Sequence, residues 1–174
     1  VVKLPAAVSQ AFDASNSVVL EVLMDADAMK YSSTAMLMLD GRTLADIIGT
    51  PLYTKVAAVI AARGIPELVL NRMKPWAAAV TLSTPALETG DVLDRVLYQD
   101  AIKQDKAVYG LETMQEQLDL FDSMPEADQI VLLTEAIDNL EALDAMQADL
   151  LAAYKQRDLD RLLAINEASM QTGD

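Results

Sequence analysis

The sequence predicts a helix-dominated α/β (or α+β) fold: a small parallel sheet of two strands, at about residues 17–23 and 106–111, with many flanking helices and a C-terminal helical hairpin. Three observations carry this expectation. Ser17-Val18-Val19-Leu20-Glu21-Val22-Leu23 and Lys106-Ala107-Val108-Tyr109-Gly110-Leu111 are short apolar runs of strand length, and the first is rich in β-branched residues. About eighty residues of helical pattern lie between the two runs, and about sixty follow the second. Single prolines, glycines and Ser/Thr/Asp caps punctuate the rest at helix-length intervals. With no internal repeat and no low-complexity linker, residues 1–174 read as one domain.

Pro5 followed by Ala6, Ala7, Val8, Ala11 and Phe12 suits a short helix with proline at its start, stopped by Asp13-Ala14-Ser15-Asn16. The first strand follows. Asp25 is placed to cap a helix through about Leu39, before the Asp40-Gly41 turn. Thr43 to Ile48 reads as a short helix closed by Gly49. Thr50-Pro51 then opens a helix that Gly64 closes. Pro66 opens another short segment, and Pro75-Trp76 an Ala-rich helix to about Ser83 that Thr84-Pro85 breaks. Past Gly90-Asp91, the residues Val92, Leu93, Val96, Leu97, Ala101 and Ile102 form a stripe of helical period.

After the second strand, Thr113-Met114-Gln115-Glu116 has the form of a capping box. Pro125 separates the helix it opens from a long one, roughly Glu126 to Gln156. Ile130, Leu133, Ile137, Leu140, Leu143, Met146 and Leu150 lie along a drifting face of that long helix. Asp144 and Gln147 fall where a coiled-coil seam would continue, so the pattern is that of an amphipathic helix paired with a last one, Asp158 to Gln171. Thr172-Gly173-Asp174 is expected to fray. The nine methionines are scattered through helices, as core filler would be.

Composition removes whole classes of chemistry. The 174 residues hold no cysteine and no histidine. No disulfide, thiolate metal site, cysteine nucleophile or histidine-based catalytic scheme can be built from this chain alone. The net charge is −14, and all of it lies in residues 87–174; residues 1–86 are balanced at seven cations and seven carboxylates. Such a surface repels phosphate backbones and anionic lipid, which argues against nucleic-acid and membrane-surface partners. No uninterrupted run of eighteen apolar residues is present, so no membrane contact is expected, and the first residues lack the basic and apolar regions of a signal peptide.

Two carboxylates stand out. Glu21 interrupts an apolar strand, and Glu112 follows the other. Functional groups in α/β proteins gather at the carboxyl ends of parallel strands, where a carboxylate serves as general base or metal ligand. The structural alternatives are an exposed neighbour of the Thr113 cap for Glu112, and an edge residue or arginine partner for Glu21. Two strands do not make an independent sheet. Partner strands are expected from a second copy, as a homodimer, or from sequence elsewhere.

Gly110-Leu111-Glu112-Thr113-Met114-Gln115-Glu116-Gln117-Leu118, with Phe121 after it, resembles the central signature of the TraB/GumN family. Leu4-Pro5-Ala6-Ala7-Val8 through Val19-Leu20-Glu21, then Lys74-Pro75-Trp76, Leu93-Asp94 with Ala101 and Lys106, and Tyr154 to Leu163 are similar to further family blocks in the same order. Val92 and Arg157 depart from it at positions where the family has glycine. The family includes pheromone-shutdown proteins and is related to the Tiki proteins, regarded as metal-dependent proteases. Its site is described as two Gly-x-x-His motifs plus a glutamate. Neither histidine motif is present here, so the resemblance implies an internal segment of a longer member.

On that resemblance Glu21 and Glu112 are the candidate catalytic residues: Glu21 as ligand or base beside a divalent cation, Glu112 in support. Gln117 and Arg72 are the candidate substrate-binding residues, Arg72 as a counter-ion. No metal ligand set and no cofactor is expected within this chain; a divalent metal belongs to the full-length protein. The implied function is a peptidase-like, metal-dependent hydrolase acting on a peptide or protein and inactive as this chain alone. The alternatives are a non-catalytic helical peptide-binding or regulatory module, and a helical scaffold in which Glu112 and Gln117 would be buried in caps. Family analogy points to an exported or cell-envelope protein.

Overall fold

The computed structural model describes residues 4–84 and 92–171. Pro5 precedes α1 (Ala6–Ala14), whose C-terminal Ser15 leads into β1 (Ser17–Val22). The Asp25 carboxylate accepts from the Ala28 N–H at 2.8 Å and starts α2 (Ala26–Ala35). Thr43 caps α3 (Leu44–Ala62) in the same way, through the Asp46 N–H. Gly49, at φ 74°, breaks α3 just before Pro51, and this divides it into the two helical pieces the sequence announces.

The short α4 (Glu67–Leu70) and the Ala-rich α5 (Pro75–Ser83) follow. The predicted break at Thr84-Pro85 and the Gly90-Asp91 turn fall partly or wholly outside the described residues, as do the last three residues. Then come α6 (Leu93–Lys103), β2 (Ala107–Glu112), α7 (Met114–Asp122), α8 (Glu126–Asp138), α9 (Leu140–Gln156) and α10 (Leu159–Gln171).

The two strands pair in parallel, Ser17 opposite Ala107 and Val22 opposite Glu112. The helix-dominated α/β class is thus the observed one. In β1 burial alternates, with Leu20 and Val22 inside and Val19 and Glu21 outside. Helix α6 lies against both strands. Lys106 ties α1 to the start of β2: its ammonium donates to the carbonyls of Asp13 (3.2 Å) and Ser15 (2.5 Å) and stands 5.4 Å from the centre of the Phe12 ring.

The main core lies away from the sheet. Trp76, Leu44, Ile60, Leu70, Leu82, Leu133 and Val56 are its largest fully buried side chains. Ala77, Ala78 and Ala79 leave α5 narrow enough for α8 to lie close along it. Trp76 stacks on Phe121, ring centres 5.5 Å apart and planes 16° from parallel, which joins α5 to α7.

Several boundaries differ from the sequence expectation. Helix α2 stops at Ala35 rather than near Leu39, because the next residues pair elsewhere. Leu37 forms an antiparallel bridge with Met73, with the Met38 N–H donating to the Arg72 carbonyl at 2.7 Å and the Lys74 N–H to Met36 at 2.9 Å. The expected long helix from Glu126 to Gln156 is two helices, parted at Asn139 (φ −101°, ψ 12°). Each piece has its own partner: α8 lies on α5, and α9 pairs with α10 in the expected hairpin. Glu112 is the last residue of β2 rather than the residue after it.

The apolar content of α3 also exceeds the expectation. Leu44–Ala62, 19 residues with a mean hydropathy of 1.4, is long and apolar enough to cross a membrane by length and composition. In this fold it is broken at Gly49 and contributes Leu44, Val56 and Ile60 to the core.

Candidate functional site

Register and a helix cap together build the site. Pairing Leu20 with Gly110 and Val22 with Glu112 brings the ends of both strands level, with Glu21 and Glu112 on adjacent strands. A Cβ on Gly110 would lie 3.2 Å from Leu23 Cγ and 3.0 Å from the Glu112 carbonyl, so glycine lets the chain leaving β1 settle against β2. The Thr113 capping box is complete. The Glu116 N–H donates to Thr113 Oγ1 at 3.1 Å, and the Thr113 N–H donates to Glu116 Oε2 at 2.8 Å. These bonds to Thr113 hold the Glu116 carboxyl below its ordinary range.

The box fixes where α7 begins and therefore where Gln117 sits. The Gln117 Nε2 amide donates to Glu21 Oε1 at 2.7 Å and to Glu112 Oε2 at 3.2 Å. The two oxygens consequently lie no farther apart than the sum of those distances, 5.9 Å. Both glutamates are exposed and Gln117 is half-buried. The cap is completed by Glu116, so Glu112 is free of it and opens to solvent.

Glu112 also lines a cavity of about 480 Å³ at the strand ends, between the starts of α2 and α7. Leu23, Tyr31 and Leu111 line its apolar parts, and Asp25, Asp27 and Glu116 add carboxylates. Three of the four sequence candidates are thus brought together, Glu21 and Glu112 each accepting a hydrogen bond from Gln117. Arg72 is not brought to them. It is exposed on the turn after α4, beside the Leu37–Met73 bridge, and among the described residues no hydrogen bond or ion pair joins it to the three.

A second polar group escapes sequence reasoning. Asp122, on the last turn of α7, accepts from the Lys74 ammonium at 2.5 Å and from the Trp76 indole N–H at 3.1 Å. Desolvation pushes its carboxyl up, and the hydrogen bonds from Lys74 and Trp76 outweigh that, leaving it below its ordinary value. The Lys74-Pro75-Trp76 run flags two of these residues, but nothing local flags Asp122. The group borders a cavity of about 540 Å³ between α2, α5, α7 and α8. Tyr31 lines both cavities and donates to Asp119 at 2.9 Å; that hydrogen bond, then desolvation and the nearby carboxylates, raise its hydroxyl above the ordinary value.

Chemically, Glu21 and Glu112 offer hard oxygen donors of the kind divalent cations take. Among the described residues no group of three carboxylate, histidine or cysteine side chains is close enough to hold a metal. Two carboxylates fit part of a coordination shell, and any further ligands have to be supplied from elsewhere.

No curated protein and no solved structure matches the chain. The family model described as the TraB/PrgY/gumN family matches residues 1–174, its full length. With a match over the whole sequence, the chain belongs to the TraB/PrgY/gumN family.

Proposed function

We propose that this chain contributes the carboxylate part of a divalent-metal-dependent, peptidase-like hydrolase site, with histidine ligands supplied from outside these residues. The observation that carries the reading is the single amide of Gln117 holding Glu21 and Glu112 together at the ends of two parallel strands. Glu21 and Glu112 would face the cation. When bound, the cation supplies Lewis-acid polarisation of a carbonyl and acidifies a water.

The chain's own residues do the positioning. Gln117 has both amide hydrogens directed at carboxylates, so its carbonyl oxygen remains to accept a backbone N–H of a peptide. Glu21, exposed and held at one oxygen, keeps its second oxygen to take a proton. On this reading the 174 residues alone turn over no substrate.

The test is a longer chain that carries this segment together with histidine-bearing sequence. Peptide hydrolysis should require added divalent metal, disappear with a chelator, and fall by about 100-fold or more in Glu21→Gln. A metal-loaded protein inert to every peptide would overturn the proposal. Activity that survives Glu21→Gln would remove that residue from catalysis and favour the second reading, a non-catalytic peptide-binding or regulatory module, which draws on the cavity beside Glu112.

A further inference from the structure

The cavity beside Glu112 has an uneven lining. Its apolar surface comes from Leu23, Tyr31, Leu111 and Met114, and its charge from Asp25, Asp27, Glu112 and Glu116, with no lysine or arginine among the residues that line it. Leu111 is 75% exposed, an apolar side chain held open to water at the mouth. The starts of α2 and α7 also border the space, and a helix N-terminus on its own favours anions. The magnitudes decide otherwise. Each N-terminus carries about half a positive charge. Part of that is already met, by the Asp25 carboxylate on Ala28 and the Glu116 carboxylate on Thr113. Two half charges against four carboxylates leave the cavity strongly negative.

We propose that this cavity is a subsite for a lysine or arginine side chain of a peptide. An aliphatic stem would lie along Leu111, Met114 and Tyr31, and the cationic head would meet Asp27 and Glu112. A free metal ion does not use the apolar wall, and an uncharged apolar side chain leaves the carboxylates unanswered. The combination selects a cation on a hydrocarbon stem. The inference rests on the hydrolase reading only in taking a peptide as the occupant. It adds the specificity: Glu112 belongs both to the cavity and to the group held by Gln117, which seats the basic residue next to the proposed reacting centre.

The experiment is a binding titration with the 174-residue chain and dye-labelled, end-blocked peptides that differ at one central position: lysine, norleucine or glutamate. Norleucine keeps the stem and removes the charge. The lysine peptide should bind about tenfold more tightly than the norleucine peptide at low salt, and the glutamate peptide most weakly, as one or two charge pairs in a half-enclosed site would give. Asp27→Asn with Glu112→Gln should bring the lysine-to-norleucine ratio close to one, both positions being exposed and tolerant of change. Leu111→Ser should weaken the lysine and norleucine peptides alike.

Glu135→Gln with Glu141→Gln, an equal change of charge at exposed positions on α8 and α9, should leave the ratio intact. Equal binding of lysine and norleucine peptides would overturn the subsite. So would failure of all three to bind, or an equal effect of the α8–α9 pair, which would mean attraction to acidity at large. A lysine preference together with a longer chain that hydrolyses nothing would keep the subsite and remove the hydrolase reading. Hydrolysis without the preference would do the reverse.

Discussion

Gln117 and Glu21, 96 residues apart in sequence, meet at 2.7 Å between amide nitrogen and carboxylate oxygen, and the same amide reaches Glu112 at 3.2 Å. Replacing Gln117 with leucine removes both hydrogen bonds and leaves two like charges close together. We expect a stability loss of about 1 kcal/mol, since both bonds are near the surface. Gln117→Glu should cost more, because a third carboxylate joins the other two and their repulsion is added to the lost hydrogen bonds. Urea unfolding separates the two variants.

Asp122 serves the Lys74 ammonium and the buried Trp76 indole at once. Asp122→Ala leaves the indole N–H without its partner and should destabilise by about 1–3 kcal/mol, whereas Asp122→Asn keeps an acceptor and should cost less. Against the upward push of desolvation, the hydrogen bonds from Lys74 and Trp76 hold the Asp122 carboxyl below its ordinary value in the fold. Its contribution is therefore fully present above that value and is lost as pH falls through the lower folded value. Thermal unfolding across acidic pH should show the difference between wild type and Asp122→Asn shrinking only there.

Arg63, just past α3, caps the end of α5. Its guanidinium donates to the carbonyls of Thr81, of Thr84 at 2.7 Å and of Leu82 at 2.7 Å. These are the carbonyls a helix end leaves without partners. Arg63→Met keeps the stem and should lower stability by about 1–3 kcal/mol, with Arg63→Lys recovering only part of it, because one ammonium cannot span the set. Chemical denaturation of the three proteins is the check.

Arg157 ends α9 in the left-handed region, φ 58° and ψ 31°. An L-residue with a side chain pays for that conformation with about 1–2 kcal/mol of steric crowding, which glycine avoids. Arg157→Gly should therefore stabilise the α9–α10 hairpin, with the net gain reduced to about 1 kcal/mol or less by the greater freedom of glycine in the unfolded chain. A higher urea midpoint at unchanged slope would verify it.

The 174 residues alone should bind zinc or manganese no more tightly than scattered carboxylates do. The chain contains no histidine or cysteine, and among the described residues no three carboxylates converge. Calorimetry that gave a stoichiometric sub-micromolar site would contradict this.

Much of the fold could be read along the chain because its signals are local. Asp25, Thr43 and Thr113 announce helix starts through their own side-chain oxygens, and each makes that hydrogen bond in the structure. Gly49 before Thr50-Pro51 marks a break that the backbone takes at φ 74°. The β-branched run at 17–22 and the run at 107–112 carry the strand signal. Where the reading failed, a distant partner intervened. Met36 to Leu39 follow a helical pattern, but the backbone of Met38 and Met36 is engaged by Arg72 and Lys74. Residues 126–156 keep one apolar face, yet α5 and α10 draw its two halves to different neighbours.

The helix-dominated class, the two strands, most caps and turns, and the exclusion of histidine and cysteine chemistry from this chain are all legible in the order of its residues. That order also singles out Glu21, Glu112 and Gln117 individually. It took the packed chain to place Gln117 between Glu21 and Glu112, to leave Arg72 apart from them, and to join Asp122 to Lys74 and Trp76. Caps and turns are settled within a few residues of chain by backbone geometry and neighbouring hydrogen-bond partners. Contacts across tens of residues depend on strand register and on which helix faces are buried together, and those are properties of the packed chain as a whole.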